Sequence, residues 1–137
     1  MSDSRERMVA ALRDRVVPWL RARGFSGSFP HFRREKEGRL HLLTFQFDKW
    51  GGGFAVELGR CDARPLLLPS GEEIAPGRIT THHLPRRLRL GAASEDDDHW
   101  FRYEGICLQF WKDRHAQAAM AVLDHLDRQA EAWWAGR

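Results

Sequence analysis

Residues 29–61 carry the pattern that most constrains what this chain can fold into. Two turn signals divide the stretch: Glu37-Gly38, and the glycine run Gly51-Gly52-Gly53. They separate segments at about 29–36, 39–48 and 53–61 that alternate between apolar and polar residues, as half-buried strands do. In the middle segment the odd positions are His41, Leu43, Phe45 and Phe47; in the third the apolar set is even, Phe54, Val56 and Leu58. Side chains of a strand point alternately to opposite faces, so one choice of register decides every neighbour. Pairing the apolar sets puts Phe47 opposite Phe54, Phe45 opposite Val56 and Leu43 opposite Leu58. The Glu37-Gly38 turn independently sets Phe32 opposite Leu43, on the same side.

The opposite face follows without further choice. Its central row is His31, Thr44 and Glu57, flanked by Phe29, Gln46 and Ala55 on one side and Arg33, Leu42 and Gly59 on the other. This face mixes polar and small residues, and the expectation is a solvated sheet surface with ordinary cross-strand pairs. A cover from the N-terminal helix or from residues 62–81 would turn it into a pocket.

Upstream, Met8, Leu12, Val16, Trp19 and Leu20 recur at helical spacing, which predicts a helix from about Asp3 to Arg23 capped by Asp3 or Ser4. Pro18 removes a backbone donor and predicts a kink or break; Gly24 ends the helix, followed by apolar Phe25. Residues 62–81, with three prolines and two glycines, read as a long loop with a short strand at its start. Residues 86–91 read as another strand with Leu88 and Leu90 inward, and residues 92–98 as a solvated loop. Residues 100–111 lean to strand at their start; whether 105–112 is strand or helix stays open. Asp113 is placed to cap a helix running to about Trp134, with a stripe of Ala116, Ala119, Leu123, Leu126, Ala130 and Trp133. The sum is a single α+β domain over residues 1–137. Its core is an antiparallel meander sheet of four to five strands, with the N-terminal and long C-terminal helices packed mainly on one face.

The 137 residues suffice for one core without disulfide or metal staples, since a domain of about 150 residues buries roughly 70% of its unfolded surface. Cys61 and Cys107 sit in apolar or strand-like surroundings and read as buried free thiols. The opening MSDSRERMVA has no apolar stretch of the secretory kind, and no run approaches 18 apolar residues, so the expected setting is a reducing cytoplasm without membrane contact.

Sequence chemistry is sparse. No cofactor is indicated, and the seven histidines show no metal-ligand spacing: His82 and His83 are adjacent, and His115 and His125 are ten apart. No G-x-S-x-G occurs, and Cys107 lies in an interior-like setting. The glycine run joins two strands and opens no helix, so it is a hairpin turn with positive φ rather than a phosphate loop. Arg86, Arg87 and Arg89 form the densest basic cluster, flanked by His82 and His83; with a net charge of +3 this raises nucleic-acid binding. The aromatics mostly fall on the core face, and the acidic run Glu95–Asp98 follows within ten residues, so pairing of these arginines with that loop is the plainer expectation.

The run FRRE, LHLLTFQFDKWGGGFAVELG, RRLRLG and DHWF resembles the bacterial domain-of-unknown-function family 4304 over nearly the whole chain. The matching features are Gly24-Phe25 after the first helix, Gln46 in a central strand, Phe54 to Gly59 in the next, Arg89-Leu90-Gly91, and Trp100 opening an aromatic segment. The resemblance implies no established activity; it suggests a toxin-immunity or regulatory protein. The leading expectation is therefore a non-enzymatic module that holds a partner protein on the outer face and the Arg86–Arg89 region. Arg33, Arg87 and Arg89 would serve as anchors there, with Gln46 and Glu57 fixing orientation. The alternative is an enzyme or small-polar-ligand binder over His31, Thr44 and Glu57, with His31 as acid or base and Glu57 orienting it. The second alternative is nucleic-acid binding through the arginine cluster. Oligomeric state and the pairing order of strands after residue 62 stay open.

Overall fold

In a computed structural model of the chain, which describes residues 3–104 and 113–136, both turn signals close as hairpins. Glu37 and Gly38 both take positive φ, 53° and 76°, the geometry of a two-residue hairpin turn whose twist matches its strands. They join β2 (His31–Lys36) to β3 (Arg39–Phe47). Gly51 and Gly52, at φ 90° and 79°, turn β3 into β4 (Gly53–Asp62). The register is the expected one: Phe32 faces Leu43, and Leu43, Phe45 and Phe47 face Leu58, Val56 and Phe54. The row His31, Thr44, Glu57 crosses the reverse side.

The sheet is longer than that central meander. A short β1 (Ser26–Ser28) pairs with β2 through a turn at Phe29-Pro30. On the far side of β4 lie β7 (Arg87–Arg89) and β8 (Phe101–Arg102). All these pairings are antiparallel, in the order β1-β2-β3-β4-β7 with β8 also on β4. Phe29 departs from expectation. It belongs to the turn, not to β2, so alternation does not govern it, and its ring stacks on Phe45 at 5.0 Å on the inner face.

Helices cover that inner face. α1 (Asp3–Arg15) and α2 (Val17–Ala22) are separated at Val16, where Pro18 cannot supply its backbone donor. Ser4 is not the cap but lies within α1, where its hydroxyl meets His115 Nε2 at 2.9 Å. α2 stops at a Schellman motif: Gly24 N–H bonds the Arg21 carbonyl and Phe25 N–H the Leu20 carbonyl. Gly24 sits at φ 87°, where a Cβ strains the backbone. Gly24→Ala is expected to lower the unfolding free energy by about 1 kcal/mol in urea titration. At the other end, Asp113 caps α3 (Arg114–His125), accepting from His115 N and Ala116 N at 3.0 and 3.2 Å. A π-type turn (Leu126–Ala130) then leads into α4 (Glu131–Trp134). The buried stripe is Ala118, Ala119, Val122, Leu126, Ala130, Trp133 and Trp134; Ala116 and Leu123 are only half-buried, because the helix turns toward α1 as well as the sheet. With Phe45, Phe54, Phe101 and Tyr103 these residues form the main core.

The reverse face is not the solvated surface expected of it. Residues 62–84 make a small hairpin, β5 (Leu66–Leu67) with β6 (Glu73–Ile74), and then two short 3-10 turns. Ile79 and Leu84 from this segment bury Leu40 and Leu42 in a second, smaller core. Gly59 permits the approach: a Cβ there would meet Leu84 at 3.0 Å and Thr81 at 3.2 Å. Among the described residues, no helix is long and apolar enough to cross a membrane.

Candidate functional site

The outer row extends one strand further than its sequence-level form: His31, Thr44, Glu57 and Arg89 stand side by side across β2, β3, β4 and β7. The next row is Arg33, Leu42, Gly59 and Arg87. Glu57 is buried, 3% exposed, and is clamped by two guanidinium groups from β7. Arg87 Nη1 lies 3.3 Å from one carboxylate oxygen and Arg89 Nε 3.4 Å from the other. A buried carboxylate needs such partners, because leaving one uncompensated costs several kcal/mol. Arg89 also reaches Gln46 Oε1 at 3.5 Å and lies over the Trp100 ring at 5.2 Å. Its Nη1 is 3.6 Å from Asp98, beyond hydrogen-bond range, and is buried without an acceptor among the described residues.

The remaining expected site residues divide differently. Arg33 donates to the Pro76 and Ile79 carbonyls, so it fastens the covering segment rather than facing a partner. His31 Nδ1 meets Thr44 Oγ1 at 3.0 Å, with the His82 ring edge-on at 5.8 Å. Burial, then the neighbouring His82, Arg33 and His83, lower its pKa below the ordinary imidazole value. With His31 turned to Thr44 and both Glu57 oxygens turned to arginine, the pair does not meet as acid and orienting carboxylate.

Beside β7 the surface opens into a groove of about 1140 Å³, running between the strand and the C-terminal helix. Residues 92–98 form its rim and are strapped down at several points. Gln129 accepts from Gly91 N–H at 2.7 Å and donates to the Ala92 carbonyl at 2.8 Å, acting as a stand-in strand. Glu95 pairs with Arg86 at 3.0 Å and accepts from Trp133 Nε1. Burial pushes the Asp98 carboxyl up, but hydrogen bonds from Trp100 and from His99 N–H, with the Arg89 charge, hold it below the usual range. The groove's lining carries Arg86, Arg87, Arg89 and Arg128 against five carboxylates, Glu57, Glu95, Asp96, Asp97 and Asp98. The arginine cluster thus faces the acidic rim and pairs with it through Arg86–Glu95 and Arg89–Asp98, as the plainer sequence expectation had it.

A second polar constellation, on the helix-covered face, was not singled out from the sequence. Arg34, His41 and Arg60 form one row across β2, β3 and β4. Arg34 is 7% exposed and donates to His41 Nδ1 at 2.7 and 3.1 Å, to Glu131 at 2.6 and 3.1 Å, and to the Arg23 carbonyl at 3.2 Å. Arg60 donates to the Trp133 carbonyl. Two helix C-termini, which leave carbonyls unpaired, are thereby docked on the sheet by guanidinium groups. The His41 ring lies parallel to Trp134, 8° from coplanar with centroids 5.8 Å apart. Because Nδ1 accepts, the ring proton sits on Nε2 and the imidazole is neutral. Burial, then the Arg34 charge, depress its pKa to about 4 against a smaller opposing pull from Glu131.

Among the described residues, no group of three or more His, Cys, Asp or Glu side chains is placed to hold a metal ion. Cys61 is a half-buried free thiol whose pKa burial raises; Cys107, and the strand-or-helix choice at 105–112, lie outside the described residues.

Gly24-Phe25, Gln46, Phe54 to Gly59, Arg89 to Gly91 and Trp100 occupy a helix cap, the two central strands, the end of β7 and the position just before β8. No curated protein and no solved structure matches the chain. Residues 16–135 match the family described as a domain of unknown function, DUF4304, and the chain belongs to that family.

Proposed function

We propose that this protein is a non-enzymatic binding module of the toxin-immunity or regulatory kind, which holds a partner protein in the groove along β7. The observation that carries this reading is the groove itself, about 1140 Å³, with a preorganised Glu57–Arg87–Arg89 clamp at its base and a strapped acidic rim. Fixed charges of both signs in a rigid setting favour a partner carrying both signs, because electrostatic complementarity selects partners and register. A polyanion finds no continuous cationic track here, since Arg86, Arg87 and Arg89 each face a carboxylate. A small ligand over His31 gains no comparable support, as its polar neighbours are already engaged.

The test uses exposed groove residues whose loss leaves the fold intact. Among the described residues, Arg128 pairs with Asp124 one helical turn away, and Asp97 with Ser94. Tagged protein retains a partner from a lysate of the cells that make it; Arg128→Glu combined with Asp97→Lys is expected to cut that retention at least about tenfold, as charge reversal at a rim does. Retention undiminished by the double reversal would sink the groove as the binding surface.

A further inference from the structure

The free edge of β7 has a defined hydrogen-bonding pattern. Leu90 N–H bonds the Val56 carbonyl, and Leu88 is paired with Leu58 two residues earlier. In an antiparallel ladder, backbone groups point alternately to one neighbour and the other, so Leu88 and Leu90 address β4 while Arg87 and Arg89 address the groove. The Arg89 carbonyl is taken by Ala92 N–H. Arg87 N–H, Arg87 C=O and Arg89 N–H meet no acceptor or donor among the described residues. β7 ends the strand order, and Arg87, Leu88 and Arg89 all line the groove.

We propose that β7 takes up an extended segment of a partner protein as an added antiparallel strand, one in which acidic residues alternate with apolar ones. This rests on the groove reading and names its occupant. Residues that exchange hydrogen bonds across an antiparallel pair share a face, so those bonded to Arg87 and Arg89 stand beside their guanidinium groups on the outer side. Carboxylates suit those places: both guanidinium groups are positively charged, Arg87 is over a third exposed and Arg89 partly so. The residue between them points to the inner side, toward Leu88, Ala132 and Trp133, and is apolar. A second copy of β7 fits poorly, because a two-fold pairing about Leu88 would set Arg87 opposite Arg89. Short, charged edge strands resist indiscriminate pairing. This one is short and charged, and so admits a strand of complementary charge only.

The probe is a capped octapeptide alternating valine and glutamate, added to the intact protein. Hydrogen exchange at the Arg87 and Arg89 amides should slow at least about tenfold on saturation, as for newly bonded edge amides. N-methylation of the peptide's glutamates removes the donors aimed at β7 and should weaken binding at least about tenfold; N-methylation of the valines, whose donors face away, should leave it. A lysine–valine peptide should bind at least about tenfold more weakly than the glutamate one. Equal binding of the two N-methylated peptides, or unchanged exchange at Arg87 and Arg89, overturns strand addition. If that happens while partner retention still depends on Arg128 and Asp97, the groove stands without the added strand; if retention is also indifferent to them, both readings fall.

Discussion

Arg34→Met is expected to lower the unfolding free energy by about 3 kcal/mol, read as a midpoint fall of roughly 10 °C. Methionine fills much of the aliphatic stem but none of the donor positions. His41 Nδ1 then loses its partner in a buried setting, at about 1–3 kcal/mol, and the half-buried Arg23 carbonyl loses one as well. Glu131 loses its bidentate contact as well, but its side chain is 43% exposed and water takes over much of that role. Glu131→Gln should accordingly cost only about 1 kcal/mol or less. A value for Arg34→Met inside that smaller range would show that the guanidinium does not hold the helix ends to the sheet.

The second large effect is on pH dependence. The His41 imidazole has an ordinary pKa of 6.5 and a folded value of about 4. Between those limits the unfolded chain binds a proton that the folded chain does not. Stability from this group is therefore complete above about pH 6.5 and is lost as the pH falls toward 4, by roughly 3 kcal/mol for the difference of 6.5 and 4. His31 and His99 are shifted in the same direction, and Glu131, Asp98 and Asp113, with lowered pKa, add losses at still lower pH. The His41 contribution is isolated with His41→Gln, which keeps an acceptor for Arg34 without titrating. Urea unfolding at pH 7.5, 5.5 and 4.5 should show a gap between wild type and variant that narrows steadily on acidification. A gap constant over that range would mean His41 is not held neutral by the fold.

Both effects arise in a row that the sequence contains in plain sight. The turn at Glu37-Gly38 pairs residue 34 with residue 41, and the alternation of β3 puts position 41 on the inner face with Leu43 and Phe45. Two residues beyond the Phe32–Leu43 pair, that register sets a buried arginine beside a buried histidine. Glu131 and the two helix ends were out of reach of that reasoning, because pattern alone does not say where a helix terminus lands on a sheet. The same division holds on the reverse side. His31, Thr44 and Glu57 were aligned from register, but the partners of Glu57 come from β7, thirty residues on, and residues 62–84 carry no periodicity to announce that they fold over Leu40 and Leu42. Phe29 escapes the pattern for a related reason: alternation ends with the strand, and Phe29 lies in the turn before it.

What the sequence determined by itself is therefore local: helix starts and stops, two hairpin turns, and the facing of three consecutive strands. These depend on steric preferences and a period of two residues, which act between near neighbours. Tertiary structure alone decided which side chains complete each buried charge, which segment shields the outer face, and that a groove lies along β7. Those outcomes depend on contacts between distant parts of the chain, where many partners of similar chemistry compete and only the packed geometry chooses among them.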